Sequence, residues 1–325
     1  MIKRHPTLLF LLASASTLAG PALATDAFPI KPIRVVIGFP AGGGADNVAR
    51  LYGEALSKEL GQPVIVDNKP GAGTTIAADT VAKAPADGYT LYIATASVMG
   101  SDKVLYKNIR YEPTDFAPIT RLTVSPLLLA ANKESGITSV ASLLAKARQH
   151  PGALNYSSSG NGVITHLAGV QFTKLADVQL THVPYKGGAP SAQAVAAGDA
   201  QLTFATPASV QAMIDTGKVV GIAVTSAKRS SVLPNYPTVA EAGIKGYDVT
   251  NWYGLFAPAQ TPPAVIEKLF AASAKALARP DLRARLASRG EEVSPSASPA
   301  EFKQFAQREG KTVTELTLSS GAKID

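Results

Sequence analysis

Three consecutive glycines, Gly42, Gly43 and Gly44, separate an apolar run from a helix-like stretch in IRVVIGFPAGGGADNVAR (33–50). Glycine backbone lets an anion approach closely, and the first turn of a helix offers free N–H groups at the positive end of its dipole. The spacing fits neither G-x-G-x-x-G nor a loop ending in G-K-[ST], so a nucleotide loop is not indicated. Two readings stay open: a tight strand-to-helix turn with Asp46 as N-cap, or the same turn with a ligand oxyanion resting on its amides.

A second small-residue loop lies in LNYSSSGNGVITHLAG (154–169), where Ser157, Ser158 and Ser159 replace most of the glycines. A nucleophile elbow needs glycine two residues before the serine, and none of these three has it. The hydroxyls either cap a helix or donate to a carboxylate or an ordered water. Past the leader, the histidines are His150, His166 and His182, with no i, i+4 pair and no H-E-x-x-H, so their spacing indicates no zinc site. His150 reads as a surface or capping residue, His166 as either a cleft residue or a packed or capping one, and His182 as structural. VPYKGGAP (183–190) forms another strand-to-helix junction, where Tyr185 could close on a ligand and Lys186 reads as solvated.

These loops need a scaffold, and the apolar periodicity supplies one. IRVVIGF, PVIVDN and YTLYIAT read as strands separated by the helical patterns DNVARLYGEALSKEL, ending at Gly61, and TIAADTVAKA. A second alternating set begins near SPLLLAAN (125–132) and runs to VVGIAVT (219–225). A Pro/Gly-rich connection then leads to NWYGLFAPA (251–259) and two helical stretches. Strand–helix alternation of this kind predicts an α/β fold with parallel sheets, in two lobes, with the C-terminal helices returning to the first. The expected division is residues 25–124 with 250–325 as lobe 1 and 125–249 as lobe 2. Ligands in such sheets sit at the carboxyl ends of strands, which places the glycine and serine loops on facing walls of a cleft.

The chain's start and composition narrow the function. Lys3 and Arg4, an apolar stretch over 7–20 and Ala22-Leu23-Ala24 form a secretory leader, with cleavage expected after Ala24 and export to the periplasm. The apolar stretch is shorter than the ~20 residues of a membrane span, and no later segment is longer. With 46% hydrophobic and 17% charged residues the 325-residue chain can bury a large core. The absence of cysteine excludes disulfides, thiol nucleophiles and thiolate metal sites. Removing Lys3 and Arg4 with the leader lowers the formal net charge of +7 by two, and the remaining surplus is scattered. With 6% aromatics and no basic stripe, this favours a small anion and not nucleic acid. Nothing in the sequence implies a cofactor or metal, and a monomer is expected.

Taken together, FPIKPIRVVIGFPAGGGADNVAR, GQPVIVDNKPGAGTTIAADTVAKAPADGYTL, HVPYKGGAP, AVTSAKRSSVLPNYPTVAEAG and WYGLFAPAQTP resemble the extracytoplasmic solute receptors of tripartite tricarboxylate transporters, the Bug family of periplasmic binding proteins. The resemblance runs from about Phe28 to the C-terminal helices. It implies a type II periplasmic-binding-protein fold, with two hinged lobes closing on a small carboxylate-bearing ligand that is passed to membrane transporter subunits. The ligand class it implies spans di- and tricarboxylates, aromatic acids and amino acids. It also implies a carboxylate held by backbone groups, hydroxyls and bridging water, without an arginine clamp. On this resemblance the first-lobe binding set is Phe39, Ala41, Gly42, Gly43 and Asp46, with Thr95 and Ser97. The second-lobe set is Ser157, Ser158, Ser159, Gly160, Thr165 and Tyr185. Two departures stand out. Ala205 follows Phe204 where many relatives place a cleft-facing aspartate, which weakens the case for an amino-acid ligand, and Ala77 replaces a frequent glycine, with an effect expected only on helix packing. A ligand-sensing module is the alternative within the same fold, and a hydrolase using Ser158 or Ser159 is the alternative from the enzyme class.

Overall fold

The computed structural model describes residues 28–322, so the leader and its cleavage after Ala24 lie outside the described residues. In chain order the first part contains β1 (Ile33–Ile37), α1 (Gly44–Leu60), β2 (Val64–Asn68), α2 (Thr75–Ala82), β3 (Thr90–Ala94), α3 (Ser101–Leu105) and β4 (Phe116–Pro126). The middle part contains β5 (Leu128–Asn132), α4 (Val140–Gln149), β6 (Asn155–Ser158), α5 (Ile164–Ala176), β7 (Thr181–Pro184), α6 (Gly188–Ala197), β8 (Leu202–Ala205), α7 (Pro207–Asp215) and β9 (Val219–Val224). The last part contains β10 (Thr250–Pro258), α8 (Pro263–Ala278), α9 (Pro280–Ala287), β11 (Glu292–Val293) and α10 (Pro299–Ser319).

Two mixed sheets result. One has the order β11-β4-β10-β3-β1-β2, the other β7-β6-β8-β5-β9. In the first, β1 runs parallel to β2 and β3 while β10 pairs antiparallel with β3 and β4. In the second, β6 runs parallel to β7 and β8 while β5 is antiparallel to β8 and β9. Each central parallel strand is covered on both faces, which is why β1 reads as a continuous apolar run. Below it, α1 turns Ala45, Val48, Ala49, Tyr52 and Leu56 onto one face, all buried against β1, β3 and α8. Gly61, in the left-handed region, ends the helix as expected and returns its N–H to the Ser57 carbonyl. Ala77 is fully buried among the apolar side chains under α2, a packing position.

The chain passes between sheets at Leu127 and again between β9 and β10. Thr225 fastens the two crossings: the Leu127 N–H donates to its Oγ1 at 2.7 Å, and that hydroxyl donates to the Val249 carbonyl at 2.7 Å. Leu167 of α5 packs in one cluster with Trp252 and Phe302 of the last part, joining the two sheets.

Three features depart from the sequence reading. The sheets, expected to be parallel, are mixed, because β10 and β11 in one and β5 in the other run antiparallel to their neighbours. Ser125 and Pro126, read as the start of the second set, end the eleven-residue strand β4, which the sequence reading did not identify. The N-cap of α1 is Gly43 and not Asp46, which lies inside the first turn.

Candidate functional site

Four helix starts meet between the sheets. An inner cavity of about 20 Å³ is lined by Gly43, Gly44 and Ala45 at the head of α1, by Val163, Ile164 and Thr165 at the head of α5, by Gly188 at the head of α6 and by Thr206, the N-cap of α7. First-turn amides have no intrahelical acceptor, so each helix brings donors and the positive end of its dipole. Among the described residues, no Asp, Glu, Lys, Arg or His lines this cavity. Phe39 and Ser159 also line an outer cavity of about 190 Å³, which includes Gly160, Tyr185, Lys186 and the turn at Gly71, Ala72 and Gly73. The lobes approach closely here. A Cβ on Gly187, whose φ is +122°, would lie 2.5 Å from the Pro40 ring, so both the conformation and the contact require glycine.

The glycine loop is held from behind by Asp46. Its carboxylate accepts the Gly42 N–H at 3.0 Å, the Asn68 amide at 2.9 Å and the Arg50 guanidinium at 3.0 Å. Asn68 also donates to the Phe39 carbonyl at 3.0 Å. Burial opposes ionisation of Asp46, but the bonds from Arg50, Asn68 and Gly42 outweigh it and hold the carboxyl below its ordinary range. Gly42 itself is exposed with φ +85°, and its N–H is committed to Asp46. Asp46 therefore shapes the loop, and Ala41 and Gly42 lie outside both cavities while Gly43 lines the inner one.

The serine loop is held differently. Ser157 is buried and its hydroxyl donates to the Ser191 carbonyl at 3.1 Å. The Ser158 hydroxyl is also buried, 2.6 Å from His182 Nε2. These two serines, expected to donate to a ligand, thus direct their hydroxyls into their own lobe. Ser159 and Thr165 do line the cavity, joined by the Ser159 N–H donating to Thr165 Oγ1 at 2.9 Å. The Gly162 N–H donates to His166 Nδ1 at 3.1 Å, and the His166 and His182 rings stack with centroids 4.0 Å apart. Burial depresses the His166 imidazole to about 4. Burial and the adjacent His166 depress His182 to about 3, so both rings are neutral at neutral pH.

Thr95 lines the inner cavity, whereas Ser97 lies behind it, 3.1 Å from the Thr95 hydroxyl. Ala205 does not face the cleft: it packs with Leu128, Ala192, Val210 and Val224, and the next residue, Thr206, lines the cavity instead. Several lining residues went unidentified in the sequence: Tyr106 and Asn161 in the outer cavity, and Thr206, Ser209, Asn251 and Tyr253 in the inner one. Asn251 precedes a recognisable WYGLFAPA, but nothing in its type or spacing marks it. The Tyr253 phenol is raised well above its ordinary value by burial and by the Glu291 carboxylate, with the Asn251 amide acting the other way.

The comparisons with known proteins bear on this arrangement. Residues 48–318 match a sequence family described as the tripartite tricarboxylate transporter family receptor. A protein encoded in the tcbD-tcbE intergenic region of Pseudomonas sp. strain P51 is 35% identical over 324 residues, 98% of this chain and 96% of that one. The structure of R. palustris Rpa4515 with adipate superposes with a TM-score of 0.87 at 35% identity, covering 91% of this chain and 100% of that chain. MatC from Rhodopseudomonas palustris with bound malate gives 0.82 at 34% identity, covering 89% and 100%. The two-lobed architecture is that of these two structures.

Proposed function

The chain belongs to the tripartite tricarboxylate transporter receptor family, and from that premise we propose that it is a periplasmic receptor that closes its lobes on a small organic acid and delivers it to the membrane subunits of such a transporter. The convergence of four helix starts on one cavity free of ionic side chains carries this reading. Donors and dipole ends on both walls favour an anion, and drawing one helix start from the first lobe and three from the second makes binding and closure one event. Adipate and malate, the acids in the two related structures, are both small carboxylates. Under this reading the leader is removed after Ala24, the receptor works as a monomer, and lobe 1 comprises 25–124 and 250–325 with lobe 2 between them. Of the site residues expected from the sequence, Phe39, Gly43, Thr95, Ser159, Gly160, Thr165 and Tyr185 are proposed to meet the ligand. Asp46, Ser97, Ser157 and Ser158 are proposed to position those loops.

The 2.6 Å approach of Ser158 to His182 invites comparison with a nucleophile and its base. Ser158 is 0% exposed, however, and among the described residues no carboxylate hydrogen-bonds His182, so the pair is better suited to bracing a loop than to attacking a substrate. A thermal-shift screen of organic acids, followed by calorimetry, tests the proposal. A receptor stabilised by mass action raises its melting temperature with ligand concentration. Failure of every organic acid to do so, or repeated turnover of an ester or amide, would overturn it.

A further inference from the structure

Glu291 places a carboxyl where the local fold ordinarily buries an apolar side chain. Gly290, in the left-handed region at φ +76°, closes α9 in a Schellman turn: its N–H donates to the Ala287 carbonyl at 2.9 Å, and the Glu291 N–H donates to the Leu286 carbonyl at 3.0 Å. The residue after such a glycine commonly packs an apolar side chain on the last helical turn. Here Glu291 is 1% exposed and lies against the first sheet, where its Oε2 accepts from the Thr123 hydroxyl at 2.8 Å. Its Oε1 is buried and reaches no donor among the described residues, and the Ser125 hydroxyl beside it is likewise unpartnered. Two hydroxyls and no cation attend this carboxyl. Arg121 on β4 donates to Ser294 and lies over the Phe305 ring; on α9, Arg283 donates to the Leu277 carbonyl, Arg285 pairs with Glu54 and Arg289 is exposed. Glu292 accepts from Ser231, and in the connection after β9 Arg229 pairs with Glu241 while Lys228 is exposed. A charge in these surroundings is costly, so burial outweighs the two hydroxyls and pushes Glu291 up to about 7.

Tyr253 connects this carboxyl to the cleft. It pairs with Thr123 across β10 and β4, its phenol feels the Glu291 charge, and it lines the inner cavity with its hydroxyl 3.0 Å from where a Cβ on Gly44 would lie. Gly290, next to Glu291, touches the second lobe: a Cβ there would lie 2.5 Å from Pro207, the first residue of α7. We infer that Glu291 is a proton-binding site coupled to the cleft: the receptor takes up a proton on this carboxyl when an anionic acid enters the inner cavity and returns it when the acid leaves, so that capture weakens as pH rises. This rests on the receptor reading above. Two effects act in the same direction. An anion in the inner cavity repels a carboxylate one tyrosine ring away, and closing Pro207 onto Gly290 deepens the burial of the carboxyl, so both favour the protonated form in the loaded state. A group that holds its proton more tightly when loaded gives full affinity below its unloaded value and loses it as pH rises through the loaded one. The Tyr253 phenol, raised well above its ordinary value, stays neutral throughout.

The test is calorimetry on the mature protein with adipate, malate and benzoate, acids whose own carboxyls stay ionised from pH 6.5 to 9. Each is titrated in phosphate and in Tris, buffers of different ionisation enthalpy, and the difference in heat gives the protons taken up per acid bound. Wild type should take up about 0.4 proton at pH 7 and lose about five- to tenfold in affinity from pH 6.5 to 9, the size expected of two like charges coupled through one ring. Glu291→Gln, which fixes the neutral shape, should take up almost none, show a flat profile and bind more tightly than wild type at pH 9 by a similar factor. Glu291→Leu, the apolar residue the turn ordinarily carries, gives the same test if the glutamine variant does not fold. Asp102 is a second buried carboxyl pushed up to about 7, so Asp102→Asn serves as the control and should keep the uptake. Uptake that survives Glu291→Gln, uptake abolished by Asp102→Asn instead, or a wild type that binds with no uptake and a flat profile would overturn the inference and leave the receptor reading intact. Binding of none of the three acids would also overturn it, and binding of no organic acid at all would overturn the receptor reading with it.

Discussion

The glycine loop of the first lobe and the serine loop of the second both carry the chain from a parallel strand into a helix start, yet they are braced by opposite chemistry. Behind the glycine loop stands an ionised carboxylate, Asp46, gripping Gly42, Asn68 and Arg50. Behind the serine loop stand two neutral imidazoles, His166 and His182, stacked and holding Gly162 and Ser158. A wall meant to attract an anion cannot expose a carboxylate, so the first lobe turns Asp46 away from the cleft and spends its charge on Arg50. The second lobe avoids charge altogether, at the cost of burying groups that protonate in mild acid. The difference predicts that the walls fail under different insults.

The largest effect is expected from filling the gap between them. A Cβ on Gly43 would lie 3.9 Å from the Gly188 N–H, in ordinary contact, and its φ of −86° suits any residue. Gly43→Leu should therefore fold, while the rest of the side chain occupies the space between the heads of α1 and α6. Loss of affinity of at least about 100-fold, near 3 kcal/mol, is expected. Calorimetry reads the affinity, and small-angle scattering should show a protein that no longer compacts when the acid found in the screen is added. Full binding by this variant would remove the glycine loop from the site.

The next effect separates the braces by pH. The folded imidazoles sit near 4 and 3, below the ordinary 6.5, so the unfolded chain binds protons first. Their contribution to stability is complete above about 6.5 and is lost as pH falls toward 4 and below, on the order of 3 kcal/mol per ring at full expression. Two buried carboxyls packed about the first sheet oppose this trend. Burial raises Asp102 and Glu291 to about 7, so their contribution is complete below the ordinary carboxylate range and is lost as pH rises through 7. Wild-type stability between pH 4 and 7 is thus a difference of opposed slopes. His182→Leu should make melting temperature fall less on acidification than in wild type, and Asp102→Asn with Glu291→Gln should make it fall more. Parallel pH profiles for all three proteins would show that the two sets of groups do not titrate as their surroundings dictate.

Asp46→Asn tests the charged brace itself. It keeps the shape but weakens the bonds from Arg50 and Gly42, and charge-assisted bonds of this kind contribute about 1.5–3 kcal/mol. A loss of about 2 kcal/mol in denaturant unfolding is expected, nearly constant from pH 5 to 8 because the Asp46 carboxyl lies below its ordinary range and stays ionised there. Ser158→Ala comes below it. The hydroxyl points at His182 and not at the cleft, so the cost of about 1 kcal/mol should appear in stability, with affinity changed by less than about threefold. A selective loss of affinity would place that hydroxyl back on the ligand.

Much of this was legible in residue order. The alternation of apolar runs and helical stripes predicted nearly every strand and helix that frames the cleft, and small residues at the strand ends marked both loops. What was hidden depends on side-chain direction or on distant partners. Consecutive strand residues point to opposite faces, yet Ser157 and Ser158 both find hydrogen-bond partners inside their lobe, on α6 and β7, which no local pattern specifies. His166 and His182 lie on different elements and meet only because β6 and β7 pair. The strand β4 was obscured by Pro118 and Pro126; it tolerates them because β11 covers only Thr123 and Val124 on that edge. Asn251 is a lone amide ahead of an aromatic motif, and its place in the cavity wall exists only in three dimensions.

The smallest effect concerns the one cation that lines the two cavities among the described residues. Lys186 was read as a solvated lysine, and the structure leaves it exposed, but at the lip of the outer cavity. If the walls hold the acid with amides and hydroxyls, Lys186 acts across solvent and adds little: exposed ion pairs contribute about 0.2–1 kcal/mol, and salt screens them over a Debye length of about 8–10 Å near physiological ionic strength. Raising salt from 50 to 500 mM should therefore weaken binding by no more than about threefold, and Lys186→Gln should remove most of that dependence while costing a similar factor at low salt. A tenfold or greater fall with salt that survives Lys186→Gln would mean that another full charge meets the ligand. The neutrality of both walls would then be a property of this arrangement of the lobes and not of the bound state.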